Sequence, residues 1–75
     1  MRWGRNVARR RRQLRLSQAD LARECGVTQQ TVSAIERAEH GPSDALKVEL
    51  ALALEQPVEE LFPFQLGRSR TSGVR

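Results

Sequence analysis

Two adjacent glutamines, Gln29 and Gln30, have the side chains best suited to recognition chemistry in this sequence. Thr28, a residue type that caps helices, comes directly before them, and Ser33 lies about one helical turn further along. A glutamine amide presents a donor and an acceptor together, and this pair matches the N6 and N7 atoms of adenine in the major groove of DNA. These residue types at this spacing indicate a helix whose first turns read base edges.

Residues 18–37, QADLARECGVTQQTVSAIER, contain the elements that would position those glutamines. Gly26 separates two short helical segments, because glycine readily adopts the left-handed conformation that ends a helix. Ala22 is small where the two helices cross, and Val32 and Ile35 hold the second helix on the core. The opposite face of that helix is then free to enter a DNA groove, so the segment predicts a helix-turn-helix.

The rest of the chain continues the helical pattern, and no segment alternates as a strand would. Five helices are predicted, over residues 5–14, 18–25, 29–38, 44–55 and 58–62, with Ser17, Thr28 and Ser43 as N-caps. The predicted fold class is therefore all-α, a compact five-helix bundle.

The expected domain organisation is simple. Residues 1–4 are expected to form an N-terminal arm, residues 5–64 the folded domain, and residues 65–75 a disordered basic tail. A chain of 75 residues supports one small domain with one modest core. Cys25 is expected to be a small buried member of that core.

Charge is distributed unevenly, although the formal net charge is only +4. Residues 1–16 carry seven arginines and no acid (+7), residues 17–64 carry three cations against nine acids (−6), and residues 65–75 carry three arginines (+3). Such a charge run can be a solvated helix face, but a basic segment on an acidic body also favours a polyanion. Twelve of the thirteen cations are arginine, the better phosphate binder, which favours a nucleic acid.

A longer stretch carries a family resemblance. The segment LSQADLARECGVTQQTVSAIER, followed by GPS and ALALEQPVEELF, resembles the Cro/repressor-type helix-turn-helix family of phage repressors and bacterial regulators, also called the XRE type. The resemblance covers residues 7–62. It implies a lambda-repressor-like domain of five helices whose third helix reads DNA, commonly as a dimer on a palindromic operator.

The resemblance assigns roles to single residues. Gln29 and Gln30 match the amides that read base pairs, and Ser33 lies on the same exposed face, within reach of a base. Residues expected at the DNA backbone are Gln18, which matches the family's phosphate contact, Thr28 and Arg37. Independently of the resemblance, Arg9, Arg10, Arg12 and Arg15 are free to face outward, and of these Arg10 and Arg12 are expected at the DNA backbone. Ala38 and Glu55 replace the glycine that often ends family helices, so those two helices are expected to run on.

Arg11 differs from its neighbours, because helical spacing places it on the inner face with Val7 and Leu14. A charge on that face needs a partner. Glu36, next to the inward-facing Ile35, is the expected partner, and the pair is similar to an inter-helix ion pair of the phage repressors.

The fourth predicted helix has too many apolar residues for one buried face. Leu50, Ala51 and Leu54 share the face expected to pack on the core, and Leu52 lies on another face with Val48. The expected dimer patch consists of Leu52, Phe62 and Phe64. The alternative is that the phenylalanines close the core.

These observations predict a sequence-specific regulator of transcription that binds double-stranded DNA, a repressor that acts as a homodimer. The alternatives are an antitoxin that represses its own operon and has a toxin as protein partner, and an interaction module of the same fold without DNA binding. No nucleophile–base pair, metal-ligand cluster or phosphate-cradling glycine loop is evident, so no enzyme activity, metal or cofactor is expected. With no apolar run to span a membrane and a single cysteine, we expect a cytoplasmic protein of the bacterial or phage nucleoid.

Overall fold

The structure, a computed structural model, describes residues 2–39 and 41–63. Within these residues the chain forms five helices: α1 (Arg2–Gln13), α2 (Gln18–Cys25), α3 (Gln29–Glu36), α4 (Asp44–Leu54) and α5 (Val58–Leu61). The predicted all-α class and the order of the helices are confirmed. The predicted patch residue Phe64 and the predicted tail at 65–75 lie outside the described residues.

The first helix begins earlier than the sequence predicted. α1 starts at Arg2, so residues 2–4 form its first turn, and the expected N-terminal arm is wrong for these residues. Trp3 explains the difference, because it lies one turn before Val7 on the same helix face and is buried, with its ring centroid 6.2 Å from that of Phe62. Burying a tryptophan removes a large apolar surface from water, which favours extension of the helix.

Gly4 allows α1 to contact α3 at very short range. A Cβ atom built on Gly4 would lie 2.7 Å from the carbonyl oxygen of Glu36 and 2.9 Å from that of Ile35. Any larger residue would have to displace backbone atoms, so the absence of a side chain lets the start of α1 approach the end of α3. This contact places one face of α1 beside α3.

Three side chains cap α2, α3 and α4 as the sequence predicted. Ser17, Thr28 and Ser43 each accept a hydrogen bond from the backbone N–H three residues further along. At α2 the Asp20 carboxylate also accepts a hydrogen bond from the Ser17 N–H at 3.0 Å, which completes a capping box. That backbone hydrogen bond is the largest cause that lowers the Asp20 pKa.

α3 and α4 both end without a glycine. Ala38 follows the end of α3 and Glu55 ends α4, with φ of 60° and 58°, in the left-handed region that favours glycine. The expectation that these helices run on is wrong, because backbone hydrogen bonds close both ends. After α4, for example, the Gln56 N–H donates to the Ala51 carbonyl at 3.1 Å.

Apolar side chains from all five helices form the core. The largest fully buried members are Val7, Leu21, Val32, Ile35, Leu50, Leu54, Leu61 and Phe62. Cys25 joins them as the sequence predicted, and burial is the main cause that raises the pKa of its thiol.

α4 is apolar on two faces. Leu50 and Leu54 are buried as predicted, whereas Val48 and Leu52 are 51% and 70% exposed. Phe62 is 0% exposed, so its predicted place in a dimer patch is wrong. Its ring closes the core at the end of α5, which was the alternative that the sequence left open.

Glu55→Gly should stabilise the domain by about 0.5–1 kcal/mol, because glycine adopts the left-handed conformation without the steric cost that other residues bear. The matched control is Glu49→Gly, in the exposed middle of α4, which should destabilise the domain by about 1 kcal/mol. Urea unfolding followed by circular dichroism measures both changes. A loss of stability in both variants would show that Glu55 bears no strain.

Candidate nucleic-acid interface

α3 presents its first two side chains to solvent. Gln29 and Gln30 are exposed, and neither amide forms a hydrogen bond with any residue in the described part of the chain. Thr28 is exposed just before them and caps the helix. On the opposite face Val32 and Ile35 are buried, so the helix cannot rotate without exposing them to water. The backbone that carries the two glutamines is therefore fixed relative to the core, and the donors and acceptors of both amides are open.

Ser33 and Arg37 form a pair at the other end of α3. The Arg37 Nη1 atom donates to Ser33 Oγ, and its Nε and Nη2 atoms donate to the Glu39 carboxylate at 2.8 and 3.2 Å. The hydrogen bonds to Glu39 are the main cause that raises the Arg37 pKa, so the guanidinium stays charged. Ser33 is half-buried and accepts a hydrogen bond from Arg37, and it lines a surface depression together with Thr28, Gln30 and Arg37. Its predicted role as a base reader stays a prediction.

The Glu36 carboxylate joins the first helix to the third. Arg11 donates from Nε to Glu36 Oε2 at 2.6 Å and from Nη2 to Oε1 at 3.2 Å, which is the ion pair that the sequence predicted. The third guanidinium nitrogen, Nη1, donates to the Leu16 carbonyl at 2.8 Å. The side chains of Arg11 and Glu36 are only 12% and 7% exposed, so this network holds both charges out of water.

Gln18 completes the same network from the start of α2. Its Nε2 atom donates to Glu36 Oε1 at 3.0 Å, and the side chain is half-buried. The Glu36 contact leaves the amide oxygen directed away from the carboxylate. The predicted phosphate contact of Gln18 would therefore use the remaining donor hydrogen or the N–H groups of the first turn of α2.

An open groove lies beside this network, between α1 and the second half of α3. The lining residues are Arg5, Ala8, Arg9, Arg12, Gln18, Ser33, Glu36 and Arg37. Four of them are arginines, and the one carboxylate is already paired with Arg11. The groove is therefore cationic, and it brings together three of the predicted backbone contacts: Gln18, Arg12 and Arg37.

Of the other groove arginines, Arg5 was not predicted as a site residue, and Arg9 was predicted only as one of four outward-facing arginines, some of which would meet the DNA backbone. With Arg12 they stand at positions i, i+4 and i+7 of α1, which share one helix face. This spacing was the available signal, but it could not show that α3 lies beside that face.

Arg10 lies away from the groove, so the structure does not group it with the other predicted contacts to the DNA backbone, Gln18, Arg12 and Arg37. Its Nε atom donates to the Leu54 carbonyl at 2.8 Å and its Nη2 atom to the Glu55 carbonyl at 3.5 Å, while Nη1 donates to Gln13. The carbonyl groups at the end of a helix lack internal partners and carry a partial negative charge, so they attract a cation. Arg10 caps the end of α4.

The comparisons with known proteins agree with this arrangement. A model of the helix-turn-helix family matches residues 7–61. The chain belongs to the helix-turn-helix family. Its structure is similar to the crystal structure of the P22 c2 repressor protein in complex with synthetic operator 9T in the presence of Tl+, with a TM-score of 0.79 and 30% sequence identity over 81% of this chain and 92% of that chain. No curated protein matches the chain. The family model and the structural similarity both place this chain among lambda-repressor-like DNA-binding domains, as the resemblance implied.

Two other kinds of feature are absent from the described residues of this helix-turn-helix domain. None of the helices in residues 2–39 and 41–63 is long and apolar enough to cross a membrane. The same residues contain no group of three or more His, Cys, Asp and Glu side chains that could bind a metal ion.

Glu36→Ala should lower the free energy of unfolding by about 3–5 kcal/mol, because it leaves the Arg11 guanidinium buried without its anion. The matched control is Arg23→Ala, which breaks the exposed pair with Asp20 and should cost less than about 1 kcal/mol. Chemical unfolding curves measure both values. Equal small losses in the two variants would mean that the inner pair contributes no more than a surface pair.

Proposed function

We propose that this helix-turn-helix protein is a sequence-specific repressor that binds a palindromic operator in double-stranded DNA as a homodimer. The family and the fold are those of DNA-binding regulators of transcription. The P22 c2 repressor, 30% identical, is bound to a synthetic operator in its crystal structure. As a regulator of this type, the protein acts by occupying a promoter in the cytoplasm, at the nucleoid, and it is not an enzyme.

One observation carries the proposed readout: the exposed amides of Gln29 and Gln30 stand unpaired, within the described residues, on a helix whose other face is locked in the core. A recognition helix needs this combination, because base edges are read by a few side chains held in a fixed direction. A flexible surface glutamine would lose rotational freedom on binding, but the helix here has already fixed the backbone.

Phosphate contacts would set the register of α3 on the duplex. Arg12, Gln18 and Arg37 line one groove next to α3, and Thr28 lies at the other end of the helix. Contacts on both sides of a recognition helix fix its depth and angle in the major groove without reading sequence. In this proposal Ser33 serves mainly to position Arg37, since its hydroxyl accepts a hydrogen bond from that guanidinium.

The homodimer is proposed on the exposed face of α4. Ala45, Val48 and Leu52 are exposed at positions i, i+3 and i+7, so they form one apolar strip. Packing two such strips across a two-fold axis would present two recognition helices one turn of DNA apart, about 34 Å. Phe62 takes no part in this patch, because it is buried.

Gln29→Ala and Gln30→Ala should each weaken binding to the preferred site by about 1–3 kcal/mol and relax the preference at one base pair, because each removes one amide from a base edge. The matched control is Gln13→Ala, an exposed glutamine of α1 that does not line the groove and should leave the preference unchanged. Selection from a random duplex pool, followed by titration of the selected and scrambled sites, measures both effects. Full site preference in both α3 variants would mean that α3 is not the reader.

Leu52→Glu should leave the monomer folded but weaken dimerisation about tenfold or more, because a charge would be buried in the apolar contact. Gln13→Glu adds the same charge at an exposed position away from α4 and should leave dimerisation unchanged. Sedimentation on a palindromic duplex gives the stoichiometry. A wild-type protein that stays monomeric there would contradict the homodimer and would favour the antitoxin alternative, in which the strip binds a different protein.

A further inference from the structure

The arginines of α1 whose side chains the structure describes have three kinds of surroundings. Arg11 is buried against Glu36, and Arg10 caps the end of α4. Arg5, Arg9 and Arg12 remain, and all three are exposed and line the groove beside α3. We call these three residues the arginine face of α1.

The arginine face has no anion of its own in the described part of the chain. Arg5 and Arg12 make no hydrogen bond or ion pair with a described residue, and Arg9 donates only to the neutral Asn6 side chain, at 2.7 Å. Like charges at i and i+4 on a helix repel and destabilise it by a few tenths of a kcal/mol. No ion pair among the described residues offsets this repulsion, whereas a bound polyanion would remove it.

The two ends of α1 show how this face is directed. At its start Gly4 lies against the last carbonyl groups of α3, and near its end Arg11 reaches the Leu16 carbonyl just before α2. The arginine face therefore runs along the groove from the end of α3 to the start of α2. Gln29 and Gln30 lie at the opposite end of α3. At a rise of 1.5 Å per residue, they are about 10 Å along the helix axis from its last residue, Glu36.

The length of the arginine face fits the phosphate spacing of one strand of a DNA duplex. From Arg5 to Arg12 the helix rises by seven residue steps, which is about 10 Å. One DNA strand carries a phosphate about every 3.4 Å along the helix axis, so that span covers about three phosphates. Arginine is suited to this contact, because its planar fork binds phosphate oxygens in pairs.

We propose that Arg5 and Arg9, together with Arg12, bind the sugar–phosphate backbone of duplex DNA outside the base pairs that Gln29 and Gln30 read. This inference rests on the proposed function for its ligand, duplex DNA, but not on the sequence preference. Arg5 and Arg9 add affinity without adding selectivity, and the protein needs a duplex that extends past its half-site.

The test is the salt dependence of binding by the double variant Arg5→Gln/Arg9→Gln. Each lost phosphate contact should lower the slope of log K against log salt by about 0.9, so the double variant should lose nearly 2 from the slope. Between 50 and 200 mM salt its affinity should then fall about tenfold less than that of the wild type. The affinity ratio between the selected and scrambled duplexes should not change. Trimming the flanks of the duplex should weaken the wild type and leave the variant almost unaffected.

The matched control compares single variants that each remove one exposed arginine. Arg5→Gln should lower the slope by about 0.9, and Arg23→Gln, on α2 and outside the groove, should leave it unchanged. Circular dichroism should show all variants folded. An unchanged slope in the double variant, or an equal change in Arg23→Gln, overturns the proposal. Loss of all sequence preference in the wild type would instead contradict the proposed readout, and the slope of the double variant would still decide whether the arginine face binds phosphate.

Discussion

The Glu36 carboxylate is the point on which the rest of the interface depends. It accepts hydrogen bonds from Arg11 on α1 and Gln18 on α2 while standing at the end of α3, and Arg11 in turn holds the Leu16 carbonyl. A nearly buried carboxylate must be satisfied in this way, because leaving it unpaired would cost several kcal/mol. Because of this requirement, α1, α2 and α3 meet at one carboxylate. α3 cannot shift relative to α1 and α2 without breaking these hydrogen bonds.

In α1, residues of one type have different roles because they lie on different faces of the helix. α1 carries consecutive arginines at 9–12, and an α-helix turns by about 100° per residue, so neighbours face different parts of the protein. Arg11 meets a carboxylate, Arg10 meets the free carbonyl groups at the end of α4, and Arg9 and Arg12 meet a solvent groove. Two of the charges hold the domain together, and the groove arginines leave a cationic surface beside α3. In the function proposed above, stability and DNA affinity depend on different side chains of the same basic run.

α4 joins these functions to the rest of the chain. Its inner face supplies Leu50 and Leu54 to the core on which α1 and α2 rest, and its end is capped by Arg10 from α1. On its outer face Val48 and Leu52 are exposed to water, although a domain of this size has few apolar side chains with which to form its core. The strip lies on a helix that the core and Arg10 already hold in place. A second protein chain could bind there without further ordering of α4, so the strip is suited to such a contact.

By itself the sequence determined the five helices, their caps, the inward Arg11 and the outward Gln29 and Gln30, because hydrophobic spacing and cap residues act over one or two helical turns. It could not determine features that depend on what packs against a residue. Trp3 extends α1 only because Phe62 and the core receive it, and Phe62 itself is buried for the same reason. Arg10 lies away from the groove only because the end of α4 comes within its reach, and Glu55 takes a left-handed conformation because the hydrogen bonds that end α4 offset its strain. For Trp3, Phe62 and Arg10 local propensity was outweighed by contacts between segments far apart in the chain, and only the tertiary structure decides which of these contacts exist.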